Sequence, residues 1–181
     1  MAADRFRPQH PEEYQKLLEW CRGASSILEI GSRYGLTLVD LANGMLGKRI
    51  VSVDWPDHEG WNDSQAGVDL QSNVESLKEK GYDAHLILDD SHHPDTLRKV
   101  TALGPFDVVF IDGDHSYEGV KRDWEYYGPL GRTVIFHDIV RPKNGENQAL
   151  EVWKLWAQLE GEEFIAKDSK MGIGRVRKTA V

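Results

Sequence analysis

Five short apolar runs recur along this chain with helix-patterned stretches between them, and that alternation limits the fold more than any other feature. The runs are Ser26–Ile30 (SILEI), Arg49–Trp55 (RIVSVDW), Ala84–Asp89 (AHLILD), Phe106–Asp112 (FDVVFID) and Arg132–Asp138 (RTVIFHD). A strand that is apolar at successive positions has no face to give to water, so it belongs in a sheet covered on both sides. The stretches between them, Leu36–Leu46, Val68–Lys80, Pro94–Leu103 and Tyr117–Tyr127, repeat apolar residues at helical spacing. Gly47 and Gly81 follow the first two as stop signals. A helix over Pro11–Arg22 precedes the first strand, within an N-terminal helical segment of residues 1–25, and a last helix is predicted over Gln148–Leu159.

Strands joined through helices must run parallel, and right-handed crossovers then put helices on both faces. The expected fold is therefore α/β: a doubly wound, Rossmann-like, mostly parallel seven-stranded sheet with an antiparallel edge. That edge comes from two final runs, Glu163–Ala166 and Gly172–Val176, with a turn around Asp168-Ser169-Lys170 between them. No repeat or linker interrupts the pattern, so residues 1–181 read as one domain.

Charge and cysteine content narrow the function classes. The net charge is −8 with no long basic run, which opposes a polyanionic partner; nucleic acid is not expected. One cysteine, Cys21, allows neither an internal disulfide nor a cysteine zinc cage, and its place in an amphipathic helix reads as buried filler. The opening MAADRFRPQHPEEY has no apolar core of signal-peptide length, and no apolar run is long enough for a membrane span. A cytoplasmic protein is expected.

In open parallel sheets ligands bind at the carboxyl ends of the strands. Those ends read Glu29-Ile30-Gly31-Ser32-Arg33-Tyr34-Gly35, Asp54-Trp55, Asp89-Asp90-Ser91-His92-His93, Asp112-Gly113-Asp114-His115 and His137-Asp138. The first differs from the Gly-x-Gly-x-x-Gly of dinucleotide sites. Its spacing is Glu-x-Gly-x-x-x-Gly, and a carboxylate there repels a pyrophosphate but suits a ligand that carries an ammonium group. Asp54 lies 25 residues beyond Glu29, at the next strand end, where a carboxylate can accept from ribose hydroxyls. Trp55 beside it offers an aromatic face to a base.

Taken together, the first tip, Ser52-Val53-Asp54, Phe110-Ile111-Asp112-Gly113-Asp114-His115-Ser116-Tyr117 and Phe136-His137-Asp138 resemble class I S-adenosylmethionine-dependent methyltransferases. The resemblance is to the small-molecule O-methyltransferase branch that includes catechol- and macrocin-type enzymes and proteins labelled cephalosporin hydroxylase. It spans about residues 26–140. It implies a methionine pocket shaped by Glu29, Gly31 and Gly35 and lined by Ser32 and Tyr34. Asp54 would take the ribose, and Asp90 and Ser91 would flank the adenine, with Asp89 as the alternative. Asp112 and Asp138 match divalent-metal ligands, Mg2+ being the expected ion. His115 falls where that branch places a lysine general base, so Asp112 and His115 are the catalytic candidates.

One departure bears on the metal. An amide usually follows the fifth-strand aspartate in the metal-dependent branch, whereas here the residue is Ile139, leaving His137 or Asp114 as substitutes. Asp112 and Asp138 also admit a plainer role, as hydrogen-bond partners of helix ends or loops. The acceptor expected is a small hydroxylated molecule. The competing reading is a non-catalytic S-adenosylmethionine-binding module of a larger assembly; a nicotinamide enzyme is disfavoured by Glu29 and the missing glycine. Segments 56–67, with Trp61, and 140–147 are the candidate specificity loops. Trp124, Tyr126, Tyr127, Trp153 and Trp156 leave open a core position or a homodimer face.

Overall fold

The structure, a computed structural model, describes residues 9–56, 64–143 and 150–178. Seven strands form one sheet: β1 (Ser26–Ile30), β2 (Arg49–Asp54), β3 (Asp83–Leu88), β4 (Phe106–Ile111), β5 (Gly131–His137), β6 (Glu162–Phe164) and β7 (Ile173–Arg177). Their spatial order is β3-β2-β1-β4-β5-β7-β6. The first five are parallel; β7 runs antiparallel between β5 and β6. The expected edge hairpin is thus present, with the three-residue β6 outermost.

Among the described residues six α-helices accompany them: α1 (Pro11–Cys21), α2 (Leu36–Gly44), α3 (Ser64–Glu79), α4 (Pro94–Leu103), α5 (Tyr117–Tyr127) and α6 (Val152–Trp156). The apolar runs divide between the two faces because successive side chains of a strand point to opposite sides. Ile27, Ile50, Val108, Phe110 and Ile135 meet Leu17, Leu38, Leu41, Leu70 and Val74 from α1, α2 and α3. Their neighbours Leu28, Val51, Val109, Val134 and Phe136 meet Val100, Val120, Tyr127 and Leu155 from α4, α5 and α6. Each such side chain, removed from water, contributes roughly 1.5–3 kcal/mol against the conformational entropy of ordering.

Several element ends differ from the sequence reading. α2 stops at Gly44 and leaves Leu46 exposed, because Leu46 N–H bonds back to Ala24 O instead of continuing the helix. α6 is five residues long; Leu150 and Glu151 are not helical, and Glu151 N–H is taken by His115 O at 2.7 Å. Tyr127 is fully buried and the Trp124 and Trp156 rings pack on Phe136, so these aromatics belong to the core. Among the described residues no helix is long and apolar enough to cross a membrane.

One tie in the fold had no expectation attached to it. Glu13 of α1 is fully buried, and its two carboxylate oxygens accept from Ala166 N at 2.9 Å and Gly172 N at 3.1 Å. Those amides bracket the β6–β7 connection, so α1 holds the hairpin loop in place.

Candidate active site

The β1–α2 turn makes one wall of a cleft at the carboxyl edge of the sheet. Gly31 has φ +87°, and a Cβ there would lie 2.2 Å from the carbonyl oxygen of Asp112. Only glycine allows the β1 and β4 tips to approach so closely. Gly35, at φ +75°, opens α2. Ser32 and Tyr34 line the cleft as expected, but Glu29 does not. It is buried beneath the turn, accepting from Ser32 Oγ at 2.7 Å, while Ser52 Oγ donates to Ser32 Oγ at 2.7 Å. Burial pushes the Glu29 carboxyl up to about 8, against the pull of the Ser32 hydrogen bond. Glu29 thus shapes the turn from behind, through Ser32.

Asp54, at the end of β2, lines the cleft and accepts from Arg33 N–H at 2.6 Å, with half-exposed Trp55 beside it. Beyond β3 the wall continues through Asp89, Asp90, Ser91 and His92. This loop is tied internally and from below. Asp90 Oδ1 accepts from His92 N–H at 2.8 Å, Ser91 Oγ donates to Asp123 Oδ1 at 2.8 Å, and His92 Nε2 lies 3.2 Å from the same oxygen. The Tyr127 hydroxyl donates to Ser91 O at 2.5 Å. Asp123 is fully buried; burial raises its carboxyl pKa, and the hydrogen bond from His92 opposes the rise. Sequence reasoning passed over Asp123, although an acid on the apolar stripe Val120–Trp124–Tyr127 of α5 is a signal that something polar must meet it.

The tips of β4 and β5 bring four ionisable side chains together. His115 Nε2 lies 3.2 Å from Asp112 Oδ1 and 3.4 Å from Asp138 Oδ2. His137 Nδ1 lies 3.2 Å from Asp112 Oδ1 and 3.3 Å from Asp138 Oδ2. Burial alone would raise Asp112, but the His137 charge and the hydrogen bonds from His115 and His137 hold it far below the usual range. Burial likewise pulls both imidazoles down, yet Asp112 and Asp138 outweigh it: His115 is raised and His137 raised further. Gln9, ahead of α1, donates from Nε2 to Asp112 Oδ2 at 3.3 Å, a contact that no local pattern announces. Asp138 holds φ 59°, a conformation that an aspartate tolerates better than most residues.

Asp112 and Asp138 each face two imidazoles, and Asp112 also meets the plainer expectation by accepting from Gln9 of the loop ahead of α1. Of the two substitutes for the missing amide, His137 is in the cluster and Asp114 is not. Asp114 Oδ1 accepts from Ser116 N at 2.8 Å, and Ser116 in turn caps α5. Asp112, His115 and Asp138 each offer one donor atom within 4.8 Å of the others, and two carboxylates with an imidazole suit a divalent cation. Past this cluster the cleft opens between Val140, Arg141 and Lys143 after β5 and Lys170 and Met171 of the hairpin loop, and its volume is about 1570 Å³. Residues 57–63, Trp61 among them, and 144–147 of the expected specificity loops lie outside the described residues.

A cleft so lined, at the carboxyl edge of a doubly wound sheet, is where open α/β folds take their ligands. Within that class the chain belongs to the methyltransferase-domain family, whose sequence profile matches residues 28–139. An O-methyltransferase from Bacillus cereus in complex with SAH superposes with a TM-score of 0.67 at 21% identity, over 94% of this chain and 82% of that one. The O-methyltransferase TomG from Streptomyces achromogenes, in complex with SAM, gives 0.66 at 18%, over 95% and 81%. TrmK from M. capricolum, in complex with S-adenosylhomocysteine, gives 0.62 at 15%, over 91% and 67%. At these identities the likeness establishes the fold. No curated protein matches the sequence.

Proposed function

We propose that the chain transfers the methyl group of S-adenosylmethionine to a hydroxyl of a small molecule. The observation that carries this reading is the continuity of one cleft, from the Gly31–Tyr34 turn and Asp54 to the Asp112–His115–Asp138 cluster. Its volume exceeds the roughly 300–1,000 Å³ of an ordinary single-ligand pocket. Room for an acceptor beside the cofactor counts against a binding module without catalysis.

The sulfonium is already activated, so the protein must align the acceptor oxygen with the methyl group and relieve that oxygen of its proton. Asp54 and Trp55 would hold the ribose and adenine, with Asp90 and Ser91 at the adenine edge. Ser32 and Tyr34 would border the methionine part, and Gly31 lets the turn lie against β4. The acceptor hydroxyl would come to the tips of β4 and β5. Two carboxylates oppose an oxygen anion there; the His137 charge offsets them in part, and further positive charge would favour the anion. A divalent cation held by Asp112 and Asp138 would supply that charge and lower the pKa of a bound hydroxyl. His115 Nε2 faces both carboxylates, 3.2 Å from Asp112 Oδ1 and 3.4 Å from Asp138 Oδ2, and the acceptor proton would pass to it or to water in the open cleft.

Calorimetry with S-adenosylmethionine tests the first half: the expected result is one site per chain, and no heat at millimolar cofactor would sink the reading. Transfer of labelled methyl from the cofactor to a panel of catechols, phenolic acids, hydroxylated macrolides and bulk RNA tests the second. Label is expected on an oxygen of a small acceptor. Binding without transfer to any of them would favour the module, and transfer to RNA alone would overturn the acceptor class.

A further inference from the structure

We propose that His115 is a metal ligand, which would make this a mixed nitrogen–oxygen site selective for a transition ion of the Mn2+–Zn2+ series over Mg2+. The inference rests on the methyltransferase reading for where the ion acts, but its argument is the geometry of three side chains. Two donors bound in adjacent positions at about 2.1 Å from a common ion are about 3.0 Å apart. His115 Nε2 lies 3.2 Å from Asp112 Oδ1 and 3.4 Å from Asp138 Oδ2, so the chain already holds its donors near that spacing.

The surroundings fix each donor separately. His115 stands just before α5, whose first turn is capped by Ser116, and its carbonyl is tied to Glu151 N at 2.7 Å. Gln9 occupies the outer oxygen of Asp112, which leaves Oδ1 turned to the imidazoles. His137 Nδ1 approaches the same two oxygens at 3.2 and 3.3 Å, but its side chain is only 4% exposed against 31% for His115, so His115 is the imidazole open to an incoming ion. Gln9 and His137 hold the carboxylates in the way outer groups orient ligands around a metal. Ile139, at the position of the usual amide, is buried and offers no donor. With no donor at that position, the third donor grouped with Asp112 and Asp138 is the His115 nitrogen from the loop after β4.

Donor chemistry then sets the ion class. Mg2+ keeps to oxygen ligands and gives up water reluctantly, whereas imidazole with carboxylates suits Mn2+, Fe2+, Co2+ or Zn2+.

The test uses the full chain, stripped with a chelator and titrated with Mn2+ while the signal of the free ion is followed by electron paramagnetic resonance. One Mn2+ per chain is expected, displaced by Co2+ at comparable concentration but by Mg2+ only at roughly a hundredfold excess. Electron spin-echo modulation from a directly bound imidazole nitrogen is expected in the wild-type Mn2+ complex and absent in His115→Ala and His115→Asn. Those variants should lose at least about tenfold in Mn2+ affinity and still bind S-adenosylmethionine, which also shows that they fold. Mg2+ displacing Mn2+ at equal concentration, or a nitrogen signal that survives in both variants, would overturn the assignment. No Mn2+ bound to a wild-type chain that binds the cofactor would overturn the metal site and leave the methyltransferase reading standing.

Discussion

Glu13 is far from the acceptor cluster in sequence, yet replacing it by alanine should disturb the wall where the acceptor would sit. Its carboxylate is the partner of two buried amides, Ala166 N at 2.9 Å and Gly172 N at 3.1 Å, at either end of the loop that contributes Asp168, Ser169, Lys170 and Met171 to the cleft. A buried N–H left without a partner costs about 1–3 kcal/mol. Glu13→Ala leaves two, so a loss of about 2–6 kcal/mol is expected, large against a total stability of about 5–15 kcal/mol. Glu13→Gln can satisfy one amide through its carbonyl while its NH2 confronts the other, so it should lose about 1–3 kcal/mol. Urea unfolding gives the difference as a shifted midpoint at unchanged slope. Hydrogen exchange should show Ala166 and Gly172 losing protection first. Both variants unfolding within about 0.5 kcal/mol of wild type, with those amides still protected, would refute the reasoning.

Two further predictions concern groups that burial holds neutral. Glu29 ionises near 4.3 in an unfolded chain but at about 8 in the fold, so its contribution is whole below pH 4, diminishes as the pH rises and is lost once the pH passes 8. At about 1.4 kcal/mol per unit the full swing is on the order of 5 kcal/mol, and Glu29→Gln should flatten it in urea unfolding at pH 5, 7 and 9. A wild-type stability that is level across that range would contradict the assignment. Cys21 is buried and its thiol pushed up to about 12, so a thiol reagent at pH 8 should leave the folded protein unmodified and react once urea unfolds it.

What the sequence made legible was whatever a local pattern records. Ile27 and Leu28 belong to opposite faces, and the unbroken apolar run that this requires is visible in SILEI itself. The strand tips were legible for the same reason, since Asp54, Asp112 and Asp138 end apolar runs. Gln9 against Asp112, Glu13 against the hairpin and Asp123 against Ser91 were not, because each contact spans between 32 and 159 positions. Such pairs are set by how α1 and α5 pack, not by spacing along the chain. Glu29 was read as a cleft residue because the sequence shows that an acid precedes the glycine, but not which way a strand residue points. His115 was matched to a lysine position by its spacing from Asp112, whereas its approach to Asp138 is set by the pairing of β4 with β5 and has no local pattern.

The two glycines of the β1 turn then separate what the cofactor needs from what the ion site needs. Gly31 and Gly35 both have positive φ, so alanine at either costs about 1–2 kcal/mol of backbone strain. Their surroundings differ. At Gly35 the obstacle is the end of the Leu70 side chain, 2.8 Å from the added carbon, which can rotate aside. At Gly31 the obstacle is backbone: Asp112 O at 2.2 Å and Gly113 Cα at 2.6 Å. A methyl group there must drive the β1 and β4 tips apart, and Asp112 moves with its own peptide. Gly35→Ala should therefore weaken S-adenosylmethionine and leave Mn2+ affinity within about threefold, the strain being confined to the start of α2. Gly31→Ala should weaken both, by tenfold or more for each, since a misplacement of about 1 Å at a preorganised site is enough for that. Calorimetry for the cofactor and magnetic resonance for the ion, on both variants, decide it. Equal loss of ion binding in the two would mean that the turn acts through general destabilisation, and that the contact between Gly31 and Asp112 does not couple the two halves of the cleft.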